Sequence, residues 1–156
     1  MTDSRQIVAP LSGSLVAMSA VPDPVFAAAM VGPGAAIEPF PGGLTVVAPC
    51  AGTILKVQPH GIVIQRDEQV MIVVHLGLDT VKLKGRGFTE LLRAGQHVDQ
   101  SQPIALWNTS VATRAGYSLC TPIVVIGAQP GSVHIIPQSA TVEVGKPFLR
   151  YTPASR

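Results

Sequence analysis

Apolar residues along the chain gather in short, β-branched-rich runs, each bounded by Gly, Pro or a small polar cluster. That pattern predicts strands over residues 14–19, 45–48, 52–58, 61–65, 70–75, 97–99, 103–107, 122–126, 141–143 and 148–151. Only two stretches read as helical. Residues 23–32 offer Asp23 as an N-cap, Pro24 at the first helical position and Gly32 as a stop. Residues 88–94, closed by Gly95, have room for one or two turns, and residues 109–119 fit helix and loop equally. The sum is an all-β chain, an antiparallel β-sandwich or flattened barrel with a few short helices.

The pattern also repeats. Ala9-Pro10-Leu11-Ser12-Gly13-Ser14-Leu15-Val16 matches Ala48-Pro49-Cys50-Ala51-Gly52-Thr53-Ile54-Leu55 at an offset of 39. Val98-Asp99-Gln100-Ser101-Gln102-Pro103-Ile104 matches Val142-Glu143-Val144-Gly145-Lys146-Pro147-Phe148 at an offset of 44. Each copy reads as a turn feeding a strand. Two such halves predict an internally duplicated β motif on one core, with too few copies for a solenoid. The expected layout is a tail over residues 1–8, a single domain over 9–152 and a second tail over 153–156.

One polar ring, His75, closes the run Val70-Met71-Ile72-Val73-Val74, and His60 opens the run Gly61-Ile62-Val63-Ile64. Gln65-Arg66-Asp67-Glu68-Gln69 between them suits a turn. An antiparallel hairpin with its tip between Asp67 and Glu68 sets His60 directly across from His75, with Cβ atoms about 5 Å apart. A paired-imidazole site is the result. Ile62, Val73, Val74, Leu76 and Leu78 offer apolar contact around it, a shallow patch suited to docking a protein.

Composition narrows the classes. At 156 residues one domain with a real core is expected. Charged residues are 13%, against about 25% in an average domain, so the surface exposes apolar area and favours a protein-binding face. A net charge of +2 without a basic run gives no nucleic-acid footprint. No apolar run approaches the ~20 residues of a membrane span, and Met1-Thr2-Asp3-Ser4-Arg5 lacks a signal pattern. A cytoplasmic protein without membrane insertion is expected. Cys50 and Cys120 form no motif and read as buried thiols; Trp107 and the methionines read as core.

His75-Leu76-Gly77-Leu78-Asp79-Thr80-Val81, followed by Leu83-Lys84-Gly85-Arg86-Gly87-Phe88, resembles the glucose-type enzyme IIA component of the bacterial phosphoenolpyruvate-dependent sugar phosphotransferase system. The resemblance extends to Ala9–Gly13, Val21-Pro22-Asp23, Val25-Phe26-Ala27, the stretch 48–54, Thr121-Pro122-Ile123-Val124 and the stretch 142–148. It implies a cytoplasmic antiparallel β-sandwich of the duplicated hybrid motif type. It further implies that His75 accepts a phosphoryl group from the histidine phosphocarrier protein and gives it to a cysteine of a IIB domain of a membrane sugar permease. By the same resemblance, His60 is the partner in passing the group on, and Asp79 helps engage the phosphocarrier. Regulatory binding to permeases or metabolic enzymes is implied as well. No cofactor is required. Several positions depart from the family pattern: Gln58 replaces a Thr, Gly32-Pro33-Gly34 lacks a rim acid, Gln69 replaces a turn glycine, and Gly127-Ala128-Gln129-Pro130 lacks an Asp. They bear on partner choice rather than on the histidine chemistry.

The chemistry suits these residues. A neutral imidazole, about three-quarters of the population at pH 7, presents a nucleophilic nitrogen without further activation. A second imidazole nearby opposes double protonation, then donates to the phosphate once the group has arrived. Two unit charges ~4 Å apart near a protein surface interact by roughly 4 kcal/mol before desolvation, enough to bias the protonation of His60. The outer nitrogen of His75, Nε2, is the expected acceptor. Asp79 reads either as a docking carboxylate or as a turn cap for the Thr80 or Val81 amide.

Other readings use the same residues. His75-x-x-x-Asp79 matches the first ligand pair of lysostaphin-type zinc hydrolases, but the further His-x-His pair is lacking, since His97 and His134 stand apart. A regulatory zinc at a partner interface is a milder version, with His60 and His75 as two ligands. A purely regulatory binding module is the third. A biotin or lipoate carrier needs a lysine at a hairpin tip, and the tip here has none.

Overall fold

The computed structural model describes residues 5–67 and 69–154. The strands are β1 (Arg5–Val8), β2 (Gly13–Ala17), β3 (Gly34–Pro39), β4 (Gly43–Val47), β5 (Gly52–Gln58), β6 (Gly61–Gln65), β7 (Met71–His75), β8 (Phe88–Glu90), β9 (His97–Val98), β10 (Pro103–Asn108), β11 (Thr121–Ile126), β12 (His134–Ile135), β13 (Thr141–Val142) and β14 (Pro147–Tyr151). They pair antiparallel throughout. An eight-stranded sheet runs β13-β2-β3-β11-β7-β6-β5-β9, and two three-stranded sheets run β1-β14-β12 and β4-β10-β8. Two short helices, α1 (Pro24–Ala27) and α2 (Thr109–Arg114), complete the fold with 3-10 turns at Met18–Ala20 and Thr80–Leu83.

The sequence repeat is built into the hydrogen bonding. Val8 N–H donates to the Pro49 carbonyl at 3.0 Å, and Val47 N–H returns the bond to Pro10 at 2.9 Å. Those pairs exchange under the offset of 39 residues seen in the sequence. Ala9 bonds the backbone of Gly145 and Lys146 just as Ala48 bonds that of Ser101 and Gln102. Gly13 lies opposite Val142, and Gly52 lies opposite Val98. The sheet order is accordingly palindromic: β13, β2, β3 and β11 on one side mirror β9, β5, β6 and β7 on the other. Both families of small sheet follow the same rule.

The central strands are covered on both faces. From β7, Ile72 and Val74 enter the main core with Ile54, Ile64, Trp107 and Phe148. Val73 faces the other way, into a second cluster with Met18, Val21, Leu78, Cys120, Val124 and Phe26. This explains why residues 70–75 and 122–126 read as unbroken apolar runs rather than alternating ones. Cys50 and Cys120 are buried free thiols, each pushed up to about 11 by desolvation. Trp107 is core, whereas Met30 is 74% exposed and corrects the reading of the methionines as core.

Other expectations need correction. Arg5–Val8 is no tail: it pairs with β14, and Ile7 is fully buried. Met1 to Ser4 lie outside the described residues. Pro153, placed in the second tail, bridges Ala128. The stretch Phe88–Glu90, expected as helix, is a strand, because Phe88 pairs with Trp107 and stacks on its ring at 5.5 Å. β3 and β12 were not expected. α1 begins as anticipated, with the Asp23 carboxylate accepting from Val25 N–H and Phe26 N–H. It stops after one turn. Ala29, at φ 55°, adopts the left-handed conformation, so that Ala29 N–H reaches Phe26 O and Met30 N–H reaches Val25 O. That is a helix-ending pair of bonds usually signalled by Gly. Residues 109–114 resolve as helix, capped by Asn108.

Gly13 and Gly52 occupy equivalent places where no side chain fits: a Cβ would fall on the carbonyl oxygens of Glu38 and Gln65 respectively. Gly52→Ala is expected to lower stability by about 2–3 kcal/mol, seen as a lower urea midpoint with an unchanged slope. Gly95→Ala, although strained by its φ of 92°, meets nothing within 4 Å and is expected to cost less.

Candidate functional site

His60 lies in the two-residue turn Pro59-His60 that joins β5 to β6, with Gln58 paired to Gly61. His75 ends β7. The expected register is off by one: His75 faces Gly61, not His60. The reason is parity. Asp67 accepts from the Gln69 and Val70 amides, and Arg66 N–H bonds Val70 O, giving an odd connection between Gln65 and Met71. The rings meet all the same. Gly61 places no side chain opposite His75, and His60, in the turn, is released from strand alternation. Leu76 N–H donates to His60 O at 2.7 Å, tying the two ends together. The ring centroids are 5.2 Å apart at 65°, edge to face.

The loop after His75 fixes its tautomer. His75 Nδ1 lies 2.6 Å from the Gly77 carbonyl oxygen. A carbonyl only accepts, so Nδ1 carries the proton and Nε2 keeps the lone pair in the neutral ring. Gly77 sits at φ 79°, and a Cβ there would press on Thr80 Cγ2 and the Ser118 carbonyl. Thr80 Oγ1 donates to Leu76 O at 2.6 Å, and Leu78 N–H donates to Ser118 O at 3.0 Å. The sequence did not point to the Gly77 carbonyl as the partner of His75.

Phe26, half-buried, stands 5.4 Å from the His75 ring, and the Asp23 carboxylate acts on His75 from the same helix end. Neither was singled out from the sequence as a site residue. His75 is pushed below the ordinary histidine range, first by desolvation; the Gly77 bond, Asp23 and Asp79 pull it part of the way back. His60, only 9% exposed, is lowered by desolvation, then by His75 and Lys56. Both rings are therefore predominantly neutral at pH 7.

The docking residues read from the sequence divide. Ile62, Leu76 and Leu78 are 4%, 1% and 3% exposed and face the cores, so the expectation that they offer contact to a partner is corrected. Ile62 falls on the inward side of β6, and the chain after His75 folds Leu76 and Leu78 under the loop. Val73 is half-buried in the second cluster. Exposed apolar side chains in the segments flanking the site are instead Val25 on α1 and Val81 in the turn after Asp79. Asp79 is exposed, at φ 60°, and its side chain makes no cap bond, which removes the turn-capping reading. Among the departures, Gln58 and Pro33 are exposed, while the Gln69 backbone abuts Gly127.

Among the described residues no three His, Cys, Asp or Glu side chains gather as a metal would need. A zinc hydrolase centre lacks its ligands here. His60 and His75 could supply two ligands to a zinc completed from elsewhere. Also among the described residues, no helix is long and apolar enough to cross a membrane.

Residues 5–130 match the family model for the phosphoenolpyruvate-dependent sugar phosphotransferase system, EIIA 1. The chain belongs to that family. It is 42% identical over 134 residues to the PTS system mannose-specific EIIBCA component of Corynebacterium glutamicum, covering 84% of this chain and 19% of that protein. It is 36% identical over 140 residues to the PTS system glucose-specific EIIA component of Staphylococcus aureus, covering 88% of this chain and 83% of that one. Among solved structures, glucose permease IIA from Mycoplasma capricolum superposes with a TM-score of 0.83 at 28% identity, covering 95% and 96% of the two chains. The chain thus spans about a fifth of the length of the corynebacterial relatives and most of the staphylococcal one. This EIIA domain has the antiparallel fold expected from its sequence.

The lowered pKa values have a measurable sign. Because both histidines titrate lower in the folded chain than their ordinary 6.5, the folded state binds fewer protons as pH falls below that value. Their contribution to stability is intact above pH 6.5 and is lost as pH falls through 6.5 towards the folded-state values. NMR titration is expected to place both midpoints below 6.5, and His75→Gln to weaken the fall in urea midpoint between pH 7.5 and 5.5. A His75 midpoint above 6.5 contradicts the burial argument.

Proposed function

We propose that this EIIA domain is a phosphoryl carrier of sugar uptake: Nε2 of His75 takes the group from a phosphohistidine of the histidine phosphocarrier protein and gives it to a cysteine of a IIB domain. The observation that carries the reading is the Nδ1–Gly77 contact of 2.6 Å, which leaves Nε2 as the basic nitrogen. As the Nε2–P bond forms, the donor's N–P bond breaks and the electron pair returns to the donor ring. Positioning and charge stabilisation then make up most of the catalysis. The Gly77 carbonyl steadies the Nδ1 proton as positive charge grows on the ring. A histidine N–P bond is labile, which suits a relay.

His60, its ring centroid 5.2 Å from that of His75, can answer the incoming dianion. Neutral before transfer, it donates a charge-assisted hydrogen bond to a phosphate oxygen afterwards. Asp79, exposed and free of cap bonds, is available to a partner arginine. The names of the corynebacterial relatives, EIIBCA components, support a IIB domain as receiver. Binding to permeases or metabolic enzymes can coexist with the relay, as can a zinc bridging His60 and His75 to a partner's ligand. Zinc on Nε2 competes with phosphorylation, so calorimetry showing independent binding would reject that bridge.

Incubation with phosphoenolpyruvate, enzyme I and the phosphocarrier is expected to add one acid-labile phosphoryl group, detected by mass spectrometry and absent in His75→Gln. His60→Gln is expected to accept the label and pass it poorly to IIB; full onward transfer would remove His60 from the mechanism. Gly77→Ala is expected to slow acceptance by about tenfold or more through loss of the tautomer, worth ~1–1.5 kcal/mol. Asp79→Asn is expected to raise the donor's apparent KM about threefold to tenfold. An unchanged KM there counts against docking.

A further inference from the structure

His75 has two ring neighbours, and the relay chemistry above uses only His60. The other is Phe26, whose ring centroid stands 5.4 Å from that of His75 with 59° between the planes. Its position is fixed in two ways. Along the chain, Asp23 Oδ1 accepts from Val25 N–H at 2.9 Å and Phe26 N–H at 3.4 Å, Pro24 restricts the first helical residue, and Phe26 O accepts the Ala29 N–H that ends the turn. In the packing, the half-buried Phe26 ring rests on the second core cluster, which holds Met18, Val21 and Leu78. An apolar residue serving a partner alone would stand outward, as Val25 does at 46% exposed. Phe26 turns to the histidine instead.

We propose that Phe26 is a positioning residue for phosphoryl transfer, whose aromatic ring steadies the positive charge that the His75 ring carries only while loaded. The inference rests on the carrier reading and deepens it. During loading the Nε2–P bond forms, the donor's N–P bond breaks, and that electron pair returns to the donor ring. The His75 ring keeps its Nδ1 proton on the Gly77 carbonyl and so becomes cationic. Through its quadrupole an aromatic ring attracts a cation within about 6 Å of its centroid, and a neutral imidazole less. The contact therefore strengthens on the way to the transition state of loading, which is the condition for it to speed that step. Unloading runs the other way. As a thiolate attacks, the N–P electron pair returns to His75 and the ring charge fades, so the same contact holds the loaded state back. His60 cannot share this task, because a protonated His60 attracts the phosphate oxygens but repels a cationic ring.

The test uses the full chain, loaded by phosphoenolpyruvate, enzyme I and the phosphocarrier and unloaded by the IIB domain, with each step followed by label. Phe26 is replaced by mono- and trifluorinated phenylalanine, which nearly keep the ring's shape while draining its quadrupole, and by Leu and Tyr. Loading kcat is expected to fall stepwise with fluorination, reaching about threefold to tenfold in the trifluorinated chain and in Phe26→Leu, with KM held within about twofold. Unloading is expected to stay level or quicken. Phe26→Tyr, which retains an aromatic ring, is expected to recover the loading rate lost in Phe26→Leu. Undiminished loading in the trifluorinated chain overturns the proposal. So does an equal slowing of both steps, the mark of a displaced loop or a damaged docking face. A wild-type chain that takes no His75-dependent label sinks the carrier reading and this inference together, whereas a labelled wild type with a flat fluorinated series removes Phe26 alone.

Discussion

The bond between His75 Nδ1 and the Gly77 carbonyl is the constraint on which the chemistry of this domain depends. A neutral imidazole in water samples both tautomers, and a hydrogen bond worth about 1–1.5 kcal/mol shifts that population by roughly tenfold. The bond exists because the chain reverses immediately after β7. Gly77, at a positive φ and with no room for a Cβ beside Thr80 and Ser118, points its oxygen back at the ring. Three further bonds keep the reversal in place: Leu76 to the His60 carbonyl, Leu78 to the Ser118 carbonyl, and Thr80 to the Leu76 carbonyl. One of these also draws the second imidazole in. Tautomer and ring pairing therefore come from a single local design.

The second, smaller core determines how wet that design is. Because Val73 and Val124 face Met18, Val21 and Phe26 rather than solvent, the end of β7 lies at the rim of a covered layer. His75 is half-buried there, which depresses its proton affinity, while the Gly77 bond, Asp23 and Asp79 act against that depression. A fully buried ring would be closed to an approaching protein, and a fully exposed one would be held less firmly. From the one-turn helix α1, Phe26 packs onto this layer.

How much of this was legible in the chain depended on whether the cause was local. β5 and β6 emerged with their observed limits because β-branched residues stand between turn residues on both sides. β3 and β12 went unread: Gly34-Ala35-Ala36-Ile37-Glu38-Pro39 has weak strand propensity and is made a strand by β2 and β11 on either side. The end of α1 was hidden because Ala29 takes the conformation that a glycine would have announced. The pairing of His60 with His75 was legible in the spacing, but not the register, which turns on whether the hairpin connection is odd or even. Leu76 and Leu78 misled because hydrophobicity beside a reactive residue says nothing about which way a loop folds. The family string around His75, being long and contiguous, needed no tertiary information at all.

Arg5 lies directly opposite Tyr151 across β1 and β14, so the chain enters and leaves the fold at neighbouring points on one small sheet. Such an arrangement makes the domain a cassette: at one small sheet, either extremity can be spliced to another polypeptide, or the two joined and the chain reopened elsewhere. The same fold can thus travel as a separate body or ride within a much longer protein.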